Sequence, residues 1–343
     1  MSKFVVRASV VTAIIGATLG GSARAVVYSP FTDPHPVVGG GTIGFAYAGD
    51  KFIGSVQGDG TGQLYSTDLN GGSVQLFAPG VSLAPSLASE HFVAASVGAG
   101  GFASRDIYVA ASNSVVHITH DGLSSNILTS GLTGDVRGIL FDTIGTFGGD
   151  MLVTTNAGSV YRVNSAGVAT SLASTGEDTE GLDIAPVGAG FGAYDGQLVV
   201  ASESSGLLRA ISTSGVTTIL NPNNPIGGVE ELSFVPLTLG LSGDPVEGMY
   251  GANYTQNVLK AGAGEFTGMQ GDIIVTSETG HGVHRVHWNG TAFEYSQVGA
   301  FSSQPEDGIF VTAAHITGGV PEPSSLALLA AGLLPLLGLR RRK

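Results

Sequence analysis

The chain has no cysteine. Disulfides, thiol catalysis, thiolate zinc sites and iron–sulfur clusters are therefore excluded. Charge is sparse, at 12% of residues, and positive charge sparser still, with 14 Lys and Arg against 27 Asp and Glu. Four of those 14 occupy the last four positions, and between residues 26 and 319 the balance falls to seven against 26, a net of −19. Nucleic acid is thereby excluded as a partner, because its phosphates require Lys and Arg, and an anionic membrane surface is disfavoured. An acidic surface suits cation binding, or simply solubility. The apolar run before the basic end, Leu326 to Leu339, is 14 residues long and holds Pro335. A bilayer span wants about 20. What is abundant is glycine, at 54 of 343 residues, with frequent Ser and Thr. That is the composition of short strands joined by tight turns.

The two ends read as addresses. Lys3 and Arg7 precede the apolar "VVTAIIGATLGG", and Ala23-Arg24-Ala25 supplies a small-residue exit. This order predicts a signal peptide over 1–25, with a signal helix, cut by signal peptidase after Ala25. At the other end, Pro321-Glu322-Pro323, an apolar segment with a hydrophobic helix, and Arg340-Arg341-Arg342 follow in order over 318–343. Basic residues stay on the cytoplasmic side of a membrane. This tail resembles the PEP-CTERM sorting signal of Gram-negative bacteria. The resemblance implies an exosortase-type processing enzyme as a partner. It also implies transient residence in the inner membrane, a destination at the cell surface or in the extracellular matrix, and an association with exopolysaccharide or biofilm.

Between the ends the chain repeats. "DKFIGSVQGDGTGQLYSTDLNGGSVQLF" from Asp50, "RDIYVAASNSVVHITHDGLSSNIL" from Arg105 and "GDMLVTTNAGSVYRVNSAGVATSL" from Gly149 share one plan. So do "GQLVVASESSGLLRAISTSGVTTIL" from Gly196 and "GDIIVTSETGHGVHRVHWNGTAFEY" from Gly271. Three short apolar strands are separated by polar turns, the second turn usually ending in Gly. A fourth strand precedes several copies, in "RGILFD" at 137, "EGLDIAP" at 180 and "EELSFVP" at 230. Four strands recurring at about 45 residues predict an all-β fold, a β-propeller. Six blades fit best, with five and seven open. The propeller spans 43–317, after an N-terminal linker over 26–42. The copies starting at 247 and 271 lie only 24 residues apart, so one blade there is expected to be degenerate. The strand in "PEDGIFVT" at 305 is expected to close the ring by joining the first blade. These blade motifs are similar to those of six-bladed propellers of the NHL, streptogramin-lyase and gluconolactonase kind.

Inner propeller strands line the central channel. Glu180, Glu230, Glu231, Glu306 and Asp307 stand at the starts of such strands and are expected to converge at one mouth. Converging carboxylates bind a hard cation such as Ca²⁺ or raise each other's pKa. In gluconolactonase-like propellers the resemblance implies a divalent metal there, with Glu180-Gly181 matching a blade start. No Asn and Asp ligands match at later blades. Solvated or capping carboxylates are the plain alternative for each residue singly. His284 and His287 fall on opposite faces of a strand, as do His117 and His120, which argues against metal ligation by either pair. The acidic glycine turns at Asp59 and Asp68 fall short of a calcium loop and fit hairpin turns. No compact catalytic motif is present. The sequence therefore points to an exported binding or structural module with glycans or matrix proteins as partners. The alternative is a divalent-metal-dependent lactonase- or lyase-like enzyme, its metal a Lewis acid on a carbonyl.

Overall fold

The computed structural model describes residues 25–188 and 190–317. The expected terminal helices fall on residues 1–24 and 318–343, and with them Ala23, Pro321, Glu322, Pro323 and Arg340 to Arg342 lie outside the described residues. Among the described residues no helix is long and apolar enough to cross a membrane.

Six four-stranded antiparallel sheets form a six-bladed propeller. Their inner strands are Thr42–Tyr47, Val93–Ala95, Val136–Phe141, Thr179–Ile184, Val229–Phe234 and Pro305–Val311. Burial falls outward along each blade. In blade three the second strand, Met151–Thr155, is wholly buried, while the outermost, Ala169–Ser174, is half-buried or exposed throughout. A sheet stacked on both faces reads as a continuous apolar run, and an edge strand does not. Six separate apolar clusters fill the six gaps between neighbouring blades. Leu152 and Val160 of blade three, for example, meet Leu198 and Val200 of blade four.

The glycine that ends the outer turn has a packing reason in blades one, three and four. At Gly167 (φ +80°) an added Cβ would stand 2.0 Å from the carbonyl oxygen of Leu128, on the outer strand of the preceding blade. Gly215 sits in the same way on Leu172, and Gly71 on Phe31. The left-handed turn and the inter-blade contact both demand the missing side chain.

Two expectations are corrected at the ring closure. The strand Pro305–Val311 does not join the first blade. It is the inner strand of blade six, paired with Gly248–Asn253. Closure comes from the segment read as a linker, whose Ser29–Thr32 pairs with Asn257–Gly262 as the outermost strand of blade six. Nor is either late blade degenerate. After the inner strand of blade five the chain lays down Gly248–Asn253 and Asn257–Gly262 in blade six. It then returns to complete blade five with Ile273–Ser277, Gly282–Trp288 and Phe293–Ala300. The short spacing marks an interleaved pair of blades. Aromatics concentrate at this seam. Phe31, brought in by the N-terminal strand, lies edge-on to Phe52 and Tyr250, with ring centres 5.2 and 4.8 Å apart. Such pairs add about 0.5–1.5 kcal/mol each beyond area burial.

Candidate functional site: an acidic channel mouth

The inner strands run side by side around the axis, so their starts share one mouth of the channel. Most carry a register shift near the start, at Val136/Gly138, Thr179/Leu182 and Val229/Leu232 among others. A bulge re-aims side chains. It divides the five predicted carboxylates into two groups.

Glu180, Glu230 and Glu306 come together at the mouth, as expected. The charges of Glu180 and Glu306 both act on Glu230. Four acids not anticipated from the sequence join them: Glu90, Asp178, Glu203 and Glu278. One cation answers these seven carboxylates. The Arg137 guanidinium contacts Glu90 and Glu180 closely, and its Nε lies 3.4 Å from Asp178 Oδ1. Gln304 bridges Glu278 and Glu306, at 2.9 Å to the latter. Tyr254 donates to Gln57 beside them.

Glu231 and Asp307 do not belong to this set. The charge of Asp307 acts on Glu231, and Ser233 donates to Glu231. Asp307 also accepts from the backbone N–H groups of Gly308 (2.8 Å) and of Phe45 in blade one (3.3 Å). Asp183 plays the same part between blades four and five, accepting from Phe234 N at 2.7 Å. These carboxyls tie inner strands of different blades together, a structural task.

Electrostatics at the mouth follow from burial. Desolvation pushes the Glu180 carboxyl up to about 8, even against the pull of Arg137. Desolvation, reinforced by neighbouring carboxylates, raises Glu230 and Glu306 well above the usual range. Asp178, Glu203 and Glu278 are raised as well, burial being the largest cause. Burial alone would lower Arg137, but Glu180, Glu90 and Asp178 outweigh it and keep the guanidinium charged. Deeper in, burial lifts Asp183 and Asp307 to about 7.

Two triads have carboxylate oxygens within 4.8 Å of one another: Asp178, Glu180 and Glu203, and Glu203, Glu230 and Glu278. Glu203 is common to both. The second triad stands apart from the direct contacts of Arg137 and could hold a hard divalent cation, which takes oxygen ligands. Glu231, Glu306 and Asp307 belong to neither triad. A signal for two missed residues lies in the repeats: in "VVASE" and "IIVTSE" a second strand ends in Ser and is followed by Glu, at Glu203 and Glu278. Likewise Arg137 in "RGILFD" stands where Glu180 stands in "EGLDIAP".

The histidines and acidic turns are structural. His287 and Arg285 share Asp272. His117 pairs with Asp106 at 2.7 Å, while His120 reaches Asp50 at 3.0 Å. Asp68 accepts from the backbone N–H groups of Asn70 and Gly72, closing its own turn.

No family model matches the chain, and no curated protein matches it. Solved structures match over most of its length. One is a protein of Thermus thermophilus, provisionally described as an oxidoreductase (glucose dehydrogenase). It is 12% identical, with 82% of this chain and 90% of that one covered and a TM-score of 0.54. A chain of a nidogen/laminin complex is 12% identical, covering 78% and 83%, with a TM-score of 0.52. A protein provisionally described as a gluconolactonase is 11% identical, covering 82% and 84%, with a TM-score of 0.50. At this identity the likeness is one of fold, and the fold is the six-bladed β-propeller.

Proposed function

We propose that this protein is an exported propeller that binds a divalent cation of the calcium class at its acidic channel mouth. Through that cation it would hold an anionic partner such as an acidic glycan. The carrying observation is the convergence of Glu203, Glu230 and Glu278, whose oxygens lie within 4.8 Å of one another beside four further carboxylates and a single arginine. An uncompensated negative cluster this buried favours either protons or a cation. The signal-like N-terminus and the PEP-CTERM-like tail support passage through signal peptidase and an exosortase to the cell surface or matrix. Calcium titration of the protein by calorimetry tests the reading. One ion per chain in the wild type, lost in Glu203→Gln, is the expected outcome. An unchanged isotherm in that variant would remove the site. For the sorting, Pro321→Ala with Pro323→Ala should accumulate the unprocessed form, and normal trimming would exclude it.

A second reading is enzymatic. Glu180, with its proton held to about 8, stands as a general acid beside the cation triad, the pairing that metal-assisted opening of a lactone would use. Calcium-dependent turnover in a lactone screen, abolished in Glu180→Gln with calcium binding retained, would establish it.

A further inference from the structure

The opposite end of the channel is built differently. A cavity of about 570 Å³ opens where the inner strands end. That is the size of a site for a small organic ligand. At this end its wall is mainly apolar, with Phe92, Ile139, Phe234 and Leu237 among the lining side chains, and it continues along the channel to the carboxyls of Glu180 and Glu230. Ile139 and Ile309 lie in inner strands yet stay only half-buried, because this space remains beside them.

Two arginines line this cavity, Arg137 toward the acidic mouth and Arg105 at the end where the inner strands finish. Arg105 lines the cavity and is half-buried. The other four described arginines, Arg137, Arg162, Arg209 and Arg285, each pair with a carboxylate. Arg105 has no such pair among the described residues. The acid of the adjoining turn, Asp50, is engaged by His120 at 3.0 Å. Arg105 is also held where it is. Its backbone takes φ +70°, a conformation disfavoured for any residue with a Cβ. Its N–H donates to Ser96 O at 2.7 Å. Its guanidinium lies across Gly49, where an added Cβ would stand 2.5 Å from Nε. A strained backbone and a cleared neighbour that together place an unpaired guanidinium beside an apolar cavity describe a fitted anion anchor.

We infer that this cavity binds an apolar monocarboxylate, its hydrocarbon along the inner-strand wall and its carboxylate on Arg105. Arg105 stands at the end of the channel away from the acidic mouth, although the cavity runs on to Glu180 and Glu230 there. Calorimetry with decanoate and, separately, 1-decanol tests it on the full chain. One decanoate per chain is expected, bound more tightly than decanol. Arg105→Gln should weaken decanoate about tenfold, the scale of one lost charge-assisted contact, and leave decanol unchanged. Ala94→Phe, which adds bulk to the wall, should weaken both. Glu203→Gln should weaken neither. Equal affinity for the two ligands, no binding of either, or an Arg105→Gln variant that folds and binds decanoate normally would each overturn the assignment. Decanoate binding seen only in a chain ending at Thr317 would also overturn it, giving the cavity to the protein's own C-terminal segment.

Discussion

The carboxyl groups of Glu231 and Asp307, carried by the inner strands of adjacent blades, line one cavity and the charge of Asp307 acts on Glu231. Two buried carboxyls whose charges oppose each other favour protonation. Both are raised: burial is the first cause for each, with Asp307 the next for Glu231. They form part of a channel that keeps acids neutral, with Asp183 and Asp307 at about 7 and Glu180 at about 8. Between roughly pH 4 and 8 the folded chain therefore holds protons that the unfolded chain has released. Stability must fall as pH rises through that window.

Calcium-free protein should accordingly melt at a lower temperature at pH 8 than at pH 5. Asp307→Asn keeps an acceptor for one of its two backbone partners and removes one titrating group. It should flatten the slope by up to one proton, about 1.4 kcal/mol per pH unit. Thermal melts across the range decide this, and a melting temperature rising from pH 5 to pH 8 would contradict the channel's electrostatics.

The inter-blade glycines make a controlled comparison. Gly131 and Gly167 both take φ near +75 to +80°, but an added Cβ at Gly131 meets nothing within 4 Å, while at Gly167 it meets Leu128 O at 2.0 Å. Gly131→Ala should cost only left-handed strain, about 1–2 kcal/mol. Gly167→Ala must also push blade three from blade two, and should cost visibly more. Urea unfolding of the two variants measures the difference. Equal losses would mean that the turn contact carries no energy.

Much of this architecture was legible because a propeller writes the same four strands repeatedly, and alternation with glycine turns marks each one. The interleaving was not. Whether the hairpin 248–262 completes its own blade or the next depends on pairing with strands at 29–32 and 305–311, and sequence proximity says nothing of that. The mouth was legible in part for a related reason. Glu180, Glu230 and Glu306 hold equivalent positions and converge. Glu231 and Asp307 follow them by one residue, and a one-residue step on a strand turns a side chain to the other face. Arg137 sits at the equivalent position with the opposite charge, so the pattern of carboxylates does not mark the residue that organises them.

Ring closure rests on the N-terminal strand, and Phe31 is its anchor, meeting Phe45, Phe52 and Tyr250 at ring-centre distances of 4.8 to 6.2 Å. Phe31→Ala should cost about 3 kcal/mol, toward the lower end for a buried aromatic because Phe31 keeps some exposure. A chain beginning at residue 33 should lose more, since it also uncovers the edge of Asn257–Gly262. Chemical unfolding of both checks the order. A truncated chain as stable as the intact one would show that blade six closes without its outer strand.

Arg137 separates the structural electrostatics of the mouth from its capacity for a cation. Arg137→Met leaves Glu90, Asp178 and Glu180 without their partner in a buried setting. Removing one side of a buried ion pair typically costs about 3–5 kcal/mol. The loss should be greatest at pH 8, where the stranded carboxyls must ionise, and should shrink toward pH 5, where protons replace the guanidinium. A divalent cation can replace it too. Calcium should therefore raise the melting temperature of Arg137→Met at pH 8 by more than that of the wild type, because the Asp178, Glu180 and Glu203 triad is then released from competition. Melting curves with and without calcium at both pH values give the result. An Arg137→Met variant destabilised equally at pH 5 and pH 8, and indifferent to calcium, would mean that Arg137 supports the fold by packing and that the mouth holds no cation.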